Sequence, residues 1–262
     1  MSITTIDDDK LIHFEVLGRG KPIIFIHDFI GSWRYWWPAM QGISRNYRAY
    51  ALDLWGFGDS TKSKDLYSID TYVDLLYKFI DKLQITKPLT IVGHGLGGVV
   101  GLSFANKYPD QLQKLFLISI PIQGSYLDGR INENTFDNYV SKIVNRAVSF
   151  DEVDKELRKI DQEAVRCLVD EIQNRDFNNY LDNCPCPIML LSGGQDPIVQ
   201  PYEGNNTQNT ADNRLILRID DCAHYPMLEE KAKFNRLLLE FLAADDSLSN
   251  IEVKDFWSRR VR

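Results

Sequence analysis

Asp196 and His224 stand in the chain order of the acid and the base of a nucleophilic hydrolase. Hydrolysis by an activated nucleophile needs a nucleophile, an imidazole base and a carboxylate that orients the base. The acid candidate lies in Leu191-Ser192-Gly193-Gly194-Gln195-Asp196-Pro197, directly after an apolar run. The base candidate lies in Asp220-Asp221-Cys222-Ala223-His224-Tyr225-Pro226. The nucleophile should precede both. Where it is expected, between an apolar run and a helical pattern, the sequence reads Gly93-His94-Gly95-Leu96-Gly97. A Gly-x-Ser-x-Gly turn in that setting is a nucleophile elbow. Here the frame is present and the serine hydroxyl is missing.

The elements that must position these residues follow from periodicity. Leu11 to Leu17 reads as an early antiparallel strand, and Pro22 to His27 as a short strand buried on both faces. Tyr47 to Leu54, Pro88 to Val92, Lys114 to Ile120, Pro187 to Ser192 and Arg214 to Ile219 continue the strand pattern. Ile69, Tyr72, Val73, Leu76, Ile80 and Leu83 form one helical stripe, and Leu96 to Lys107 is the helix after the elbow. This alternation predicts an α/β fold with a mostly parallel sheet covered by helices on both faces. Asp196 and His224 both follow strands, at the carboxyl edge where such sheets place their sites. Residues 1–120 and 184–244 form the expected core. Between them, 121–183 is polar with short amphipathic helices and reads as an inserted helical lid. Residues 245–262 read as a charged tail with Phe256 and Trp257 as large apolar anchors.

With His27-Asp28-Phe29-Ile30-Gly31-Ser32, Leu52-Asp53-Leu54-Trp55-Gly56-Phe57-Gly58-Asp59-Ser60, Gly93-His94-Gly95-Leu96-Gly97, Asp196 and His224 in order, the chain resembles the α/β-hydrolase fold superfamily. The likeness is to its lid-bearing esterase, epoxide-hydrolase and haloalkane-dehalogenase members, from Leu11 to Ala243. It implies an oxyanion hole built from the backbone N–H groups of Phe29 and Leu96. It also implies a pocket near Asp28, Trp33, His94 and Ser125 for a small apolar or ester-like molecule. Two departures stand out. Gly95 replaces the family's serine or aspartate, and Asp28 replaces the usual glycine after the histidine. An inward-pointing Asp28 would oppose negative charge developing in the oxyanion hole. Glycine accepts the strained elbow backbone without a Cβ penalty, and its missing side chain leaves room for an ordered water near His224.

The other reactive residue types have plainer readings. His94 beside the elbow reads as a packing or hydrogen-bonding residue, His27 as support for the oxyanion loop, and His13 as neither. Cys222 lies on the base's own loop, and Ser103 is about two turns beyond Gly95. Ser32 and Ser125 are nearer the pocket but lack an activating motif. Cys167, Cys184, Cys186 and Cys222 read as reduced packing residues, since Cys184-Pro185-Cys186 lacks further ligands at zinc-site spacing. No cofactor is implied.

A net charge of −7 gives no footprint for nucleic acid. The start of the chain lacks a signal-peptide pattern and no apolar run is long enough to span a bilayer, so a cytoplasmic location is expected. With 44% hydrophobic and 26% charged residues over 262 positions, one large soluble domain is expected. Three functions stay open: weak, non-covalent hydrolysis with His224 as a general base; a non-catalytic site that binds a ligand or partner; and a serine hydrolase whose elbow serine has been changed to Gly95. Oligomeric state is not legible.

Overall fold

A computed structural model describes residues 2–7, 9–132, 150–203, 213–249 and 251. Eight strands form one sheet: β1 (Ser2–Ile6), β2 (Lys10–Gly18), β3 (Lys21–Ile26), β4 (Tyr47–Leu52), β5 (Leu89–His94), β6 (Leu112–Ile118), β7 (Ile188–Gly193) and β8 (Arg214–Ile219). Their order is β1-β2-β4-β3-β5-β6-β7-β8, with β1 and β2 antiparallel and every pairing from β4 to β8 parallel. The central strands carry continuous apolar runs because helices cover both faces. β5 and β7 are buried along their whole length.

The helices are α1 (Trp37–Ile43), α2 (Ile69–Lys82), α3 (Leu96–Lys107), α4 (Asp151–Asp154), α5 (Gln162–Gln173), α6 (Asn178–Asp182), α7 (Pro226–Glu229) and α8 (Lys231–Ala243). Ser68 caps α2 by accepting from Thr71 N–H, and the apolar stripe from Ile69 to Ile80 faces the core. The elbow helix α3 lies close against β3. A Cβ on Gly97 would stand 2.7 Å from the His27 carbonyl oxygen, so only glycine permits this approach.

The strands read from periodicity are present, and β1 adds one that was not expected. Its Ser-Ile-Thr-Thr-Ile alternates buried or half-buried with exposed positions at the edge of the sheet. Asp7, at φ 51, makes the turn that folds β1 back on β2. The segment between β6 and β7 carries α4, α5 and α6. Val153, Val165, Leu168, Val169, Ile172, Phe177 and Leu181 join the same apolar core as the sheet. The expected tail anchors Phe256 and Trp257 lie outside the described residues. Leu248 and Ile251, which were not singled out, pack on the core instead. Among the described residues no helix is long and apolar enough to cross a membrane.

Candidate active site

Four loops meet at the carboxyl edge of the sheet, following β3, β5, β7 and β8. They bring Asp28, Gly95, Asp196 and His224 together. Backbone bonds between the loops set their spacing. Gln195 N–H donates to the Cys222 carbonyl at 2.9 Å, and Gly194 N–H donates to the Ile219 carbonyl at 2.9 Å. Glu229, at the end of α7, accepts from Ala223 N–H at 2.7 Å and Tyr225 N–H at 2.9 Å, pinning both neighbours of His224. The Tyr225 hydroxyl donates to the Ile30 carbonyl at 2.8 Å, which ties the base loop to the loop of Asp28. Glu229 and Tyr225 were not singled out from the sequence. The spacing of Glu229 inside Pro226-Met-Leu-Glu is the one local signal for its role.

The structure brings Asp196 and His224 together. His224 Nδ1–H donates to Asp196 Oδ2 at 2.8 Å, and Asp196 Oδ1 accepts from Ile198 N–H at 2.9 Å and Val199 N–H at 3.1 Å. What lies on the other side of His224 departs from expectation. Its Nε2–H donates to Asp28 Oδ2 at 2.9 Å, with both side chains about 1% exposed. Asp28 Oδ1 in turn accepts from Leu96 N–H at 2.6 Å. The carboxylate therefore points inward, between the base and the expected oxyanion donor.

Gly95 keeps the elbow backbone, with φ 48 and ψ −111. A Cβ built on it would overlap Asp28 Oδ1 and Cγ, well inside the roughly 3.5 Å separation of non-bonded carbons. The volume expected to be free for a water is thus filled by the Asp28 carboxylate. Gly95 and Asp28 are a sterically matched pair, so a serine at 95 does not fit beside Asp28 as it stands. The match speaks against a lone serine-to-glycine change in an otherwise intact hydrolase. Gly95 has no side chain to cap α3, and Asp28 supplies that cap from another loop at the positive end of the helix.

The charge state follows from these contacts. Burial pushes His224 toward the neutral form, but the charge and hydrogen bond of Asp196 and those of Asp28 outweigh it and raise His224 to about 10. Burial likewise pushes Asp28 up, yet the hydrogen bond and charge of His224 and the Leu96 N–H bring it below its ordinary value. Asp196 is lowered in the same way, burial being outweighed by the His224 charge and hydrogen bond. The resting centre is an imidazolium held between two carboxylates. That state disfavours the expected role of His224 as a resting general base.

His94 is a supporting residue, as its context suggested. Burial and the neighbouring His224 charge push it down to about 3, so it is neutral. Its Nε2–H donates to the His224 carbonyl at 2.8 Å, and its Nδ1 accepts from the Tyr35 hydroxyl, 3.0 Å away. Tyr35 Oη accepts from Asp28 N–H at 2.8 Å, and His27 Nδ1–H donates to the Asp28 carbonyl at 2.8 Å. Asp28 is therefore fixed at backbone and side chain alike. Ligand atoms of Asp28, His94 and His224 lie within 4.8 Å of one another. Every ring nitrogen among them is already hydrogen-bonded, so the cluster fits a proton network better than a metal site.

Of the other expected residues, Phe29 adjoins this centre, Ser125 shares a cavity with Asp196, and Trp33 lines a separate one. Phe29 is buried next to Asp28. Trp33, whose backbone N–H donates to Asp53 Oδ1 at 2.8 Å, lines a cavity of about 480 Å³ with Arg34, Trp37, Glu152 and Lys155. Ser125 lines another, of about 430 Å³, with Arg130, Asp196 and Gln200. Neither cavity is lined by Asp28 or His224. His13 is held by Asp53 at 2.8 Å and belongs to the loop framework.

Comparison with known proteins agrees with this architecture. The family model described as alpha/beta hydrolase fold matches residues 21–171, more than half of the chain. A dihydrolipoyllysine-residue acetyltransferase component of an acetoin cleaving system from Pseudomonas putida is 27% identical over 250 residues, covering 87% of this chain and 65% of that protein. Bifunctional epoxide hydrolase 2 from Sus scrofa is 20% identical over 297 residues, covering 89% of this chain and 53% of that protein. The chain thus spans less than two thirds of the length of either relative. A thermophilic esterase from Thermogutta terrifontis superposes with a TM-score of 0.77 at 21% identity, covering 92% of this chain and 96% of the esterase. With the strand order, the elbow and the family match in agreement, this chain belongs to the alpha/beta hydrolase fold family.

Proposed function

We propose that the chain is a hydrolase for a small apolar, ester-like or otherwise electrophilic molecule, and that its centre is Asp196–His224–Asp28 in place of a serine triad. The observation that carries this reading is His224 Nε2 set 2.9 Å from Asp28 Oδ2, while Asp196 orients the opposite ring nitrogen. A histidine oriented by a buried carboxylate is the arrangement that moves protons in hydrolysis. Serine-type acyl transfer does not suit the site. The nucleophilic hydroxyl is absent, and the Leu96 N–H that would stabilise an oxyanion already holds Asp28 Oδ1. In this reading the helical segment 121–183 is the lid over the site and sets which molecules enter.

The test is turnover of small apolar esters, lactones, epoxides and alkyl halides by the protein and by His224→Gln. Turnover that falls on the order of 10³-fold or more in the variant is the expected result. Equal rates in the two proteins would overturn it. A second reading, a closed non-catalytic binding site, is favoured by the near-complete burial and internal pairing of Asp28 and His224. It predicts ligand-dependent thermal stabilisation with no turnover of any of these substrates.

A further inference from the structure

The place of the missing elbow side chain is not empty. A Cβ on Gly95 would fall on the Asp28 carboxylate, which reaches the same point from the loop after β3. It meets there the two partners an elbow nucleophile needs, a backbone N–H of the next residue and the Nε2 of the base. We infer that Asp28 is the nucleophile of this chain, transposed from the elbow to the preceding loop, and that it acts on alkyl electrophiles, small apolar molecules with a leaving group on an sp3 carbon. The inference rests on the reading of the site as hydrolytic and names its attacking atom and substrate class.

The substrate class follows from which groups are already engaged. Attack on an ester carbonyl would place a second oxyanion at the Leu96 N–H, which Asp28 Oδ1 holds, and would end in a high-energy anhydride. Displacement at an sp3 carbon develops no carbonyl oxyanion. Asp28 Oδ2 gives an electron pair to that carbon, the carbon–leaving-group bond breaks, and the electrons depart with a halide or stay on a ring-opened oxygen, which takes its proton from solvent. The product is an alkyl ester of Asp28.

The second step uses the remaining contacts. Esterification removes the Asp28 charge, one of the two charges that hold the proton on His224. His224 then releases that proton to solvent and becomes a base still oriented by Asp196. It takes a proton from water as the water oxygen bonds to Asp28 Cγ. The negative charge forms on Oδ1, already seated on Leu96 N–H at the N-terminus of α3. Collapse of this intermediate expels the alcohol, protonated by the newly added hydroxyl, and returns the carboxylate and the His224 cation. For a halide the sum is alkyl halide and water to alcohol, halide and a proton. For an epoxide it is epoxide and water to diol.

The probes are a terminal six-carbon bromoalkane and the corresponding 1,2-epoxide, given to the whole chain and to His224→Gln. An alkyl ester that accumulates on the Asp28 peptide of His224→Gln is the expected result, located by peptide mass spectrometry because the four cysteines also alkylate. In a single turnover in ¹⁸O-water, the wild-type Asp28 peptide gains the label and the first alcohol released carries none. Asp28→Asn, with folding checked by thermal unfolding, should lose the adduct and on the order of 10³-fold or more of turnover. A first alcohol carrying ¹⁸O, with Asp28 unlabelled, overturns the inference and leaves the hydrolytic reading standing. Hydrolysis of esters without any reaction of either alkyl probe does the same. No turnover of esters, bromoalkane or epoxide removes both.

Discussion

Gly95 and Asp28 are legible in the sequence as two separate departures, but their collision is not. Local pattern places each on its loop, and nothing in it states that a loop carboxylate turns inward to the elbow's side-chain position. The same holds for Tyr35, whose hydroxyl meets His94 from a distant part of the chain. The pairing yields a prediction for esterase activity. Gly95→Ser alone adds none, because serine both strains the φ 48 backbone, at about 1–3 kcal/mol, and meets Asp28. Gly95→Ser combined with Asp28→Gly frees the Leu96 N–H and creates hydrolysis of short aryl esters that is lost with His224→Ala; a steady-state assay of the three variants checks it. The triad also sets a pH dependence. His224 is raised from 6.5 to about 10, so its stabilisation is complete below pH 6.5 and is lost as pH rises through about 10. Asp28 and Asp196 are lowered from 3.8, so their contribution is complete above that value and is lost as pH falls below it. The difference in Tm between wild type and His224→Gln should therefore be largest from about pH 4 to 6.5 and should shrink toward pH 10.

At the scale of elements, the continuous apolar strands were the clearest signal, because burial on both faces leaves few positions for polar residues. Edge strand β1 was hidden by its acidic turn, and α1 by the tryptophans of Trp33 to Trp37, whose spacing serves packing as readily as a helix. The short helices of 121–183 were readable as amphipathic, whereas where they dock depends on contacts far away in the chain. One tight element contact is the approach of α3 to β3 at Gly97. Gly97→Ala places a Cβ against the backbone carbonyls of Ile26 and His27 and should cost about 1–3 kcal/mol, read by urea unfolding. It should also weaken the site, since pushing α3 away moves Leu96 N–H from Asp28; an unchanged Tm would refute the packing account.

Across the whole molecule, one apolar core runs from the sheet through α8 and into α5 and α6. The segment 150–183 should therefore unfold with the sheet in a single transition, with circular dichroism and tryptophan fluorescence giving coincident curves. An earlier loss of helix signal would show that it is separable. The matched pair at the centre also constrains which substitutions this chain accepts. A Cβ at 95 overlaps the Asp28 carboxylate where it stands, so any side chain at 95 requires that carboxylate to move. A path of single substitutions from a serine elbow that avoids the overlap takes the glycine first and the aspartate second. Once both are in place, restoring serine is blocked until the aspartate leaves. The centre works as a ratchet: while Asp28 keeps its place, serine chemistry at 95 is closed, and the two positions should vary together.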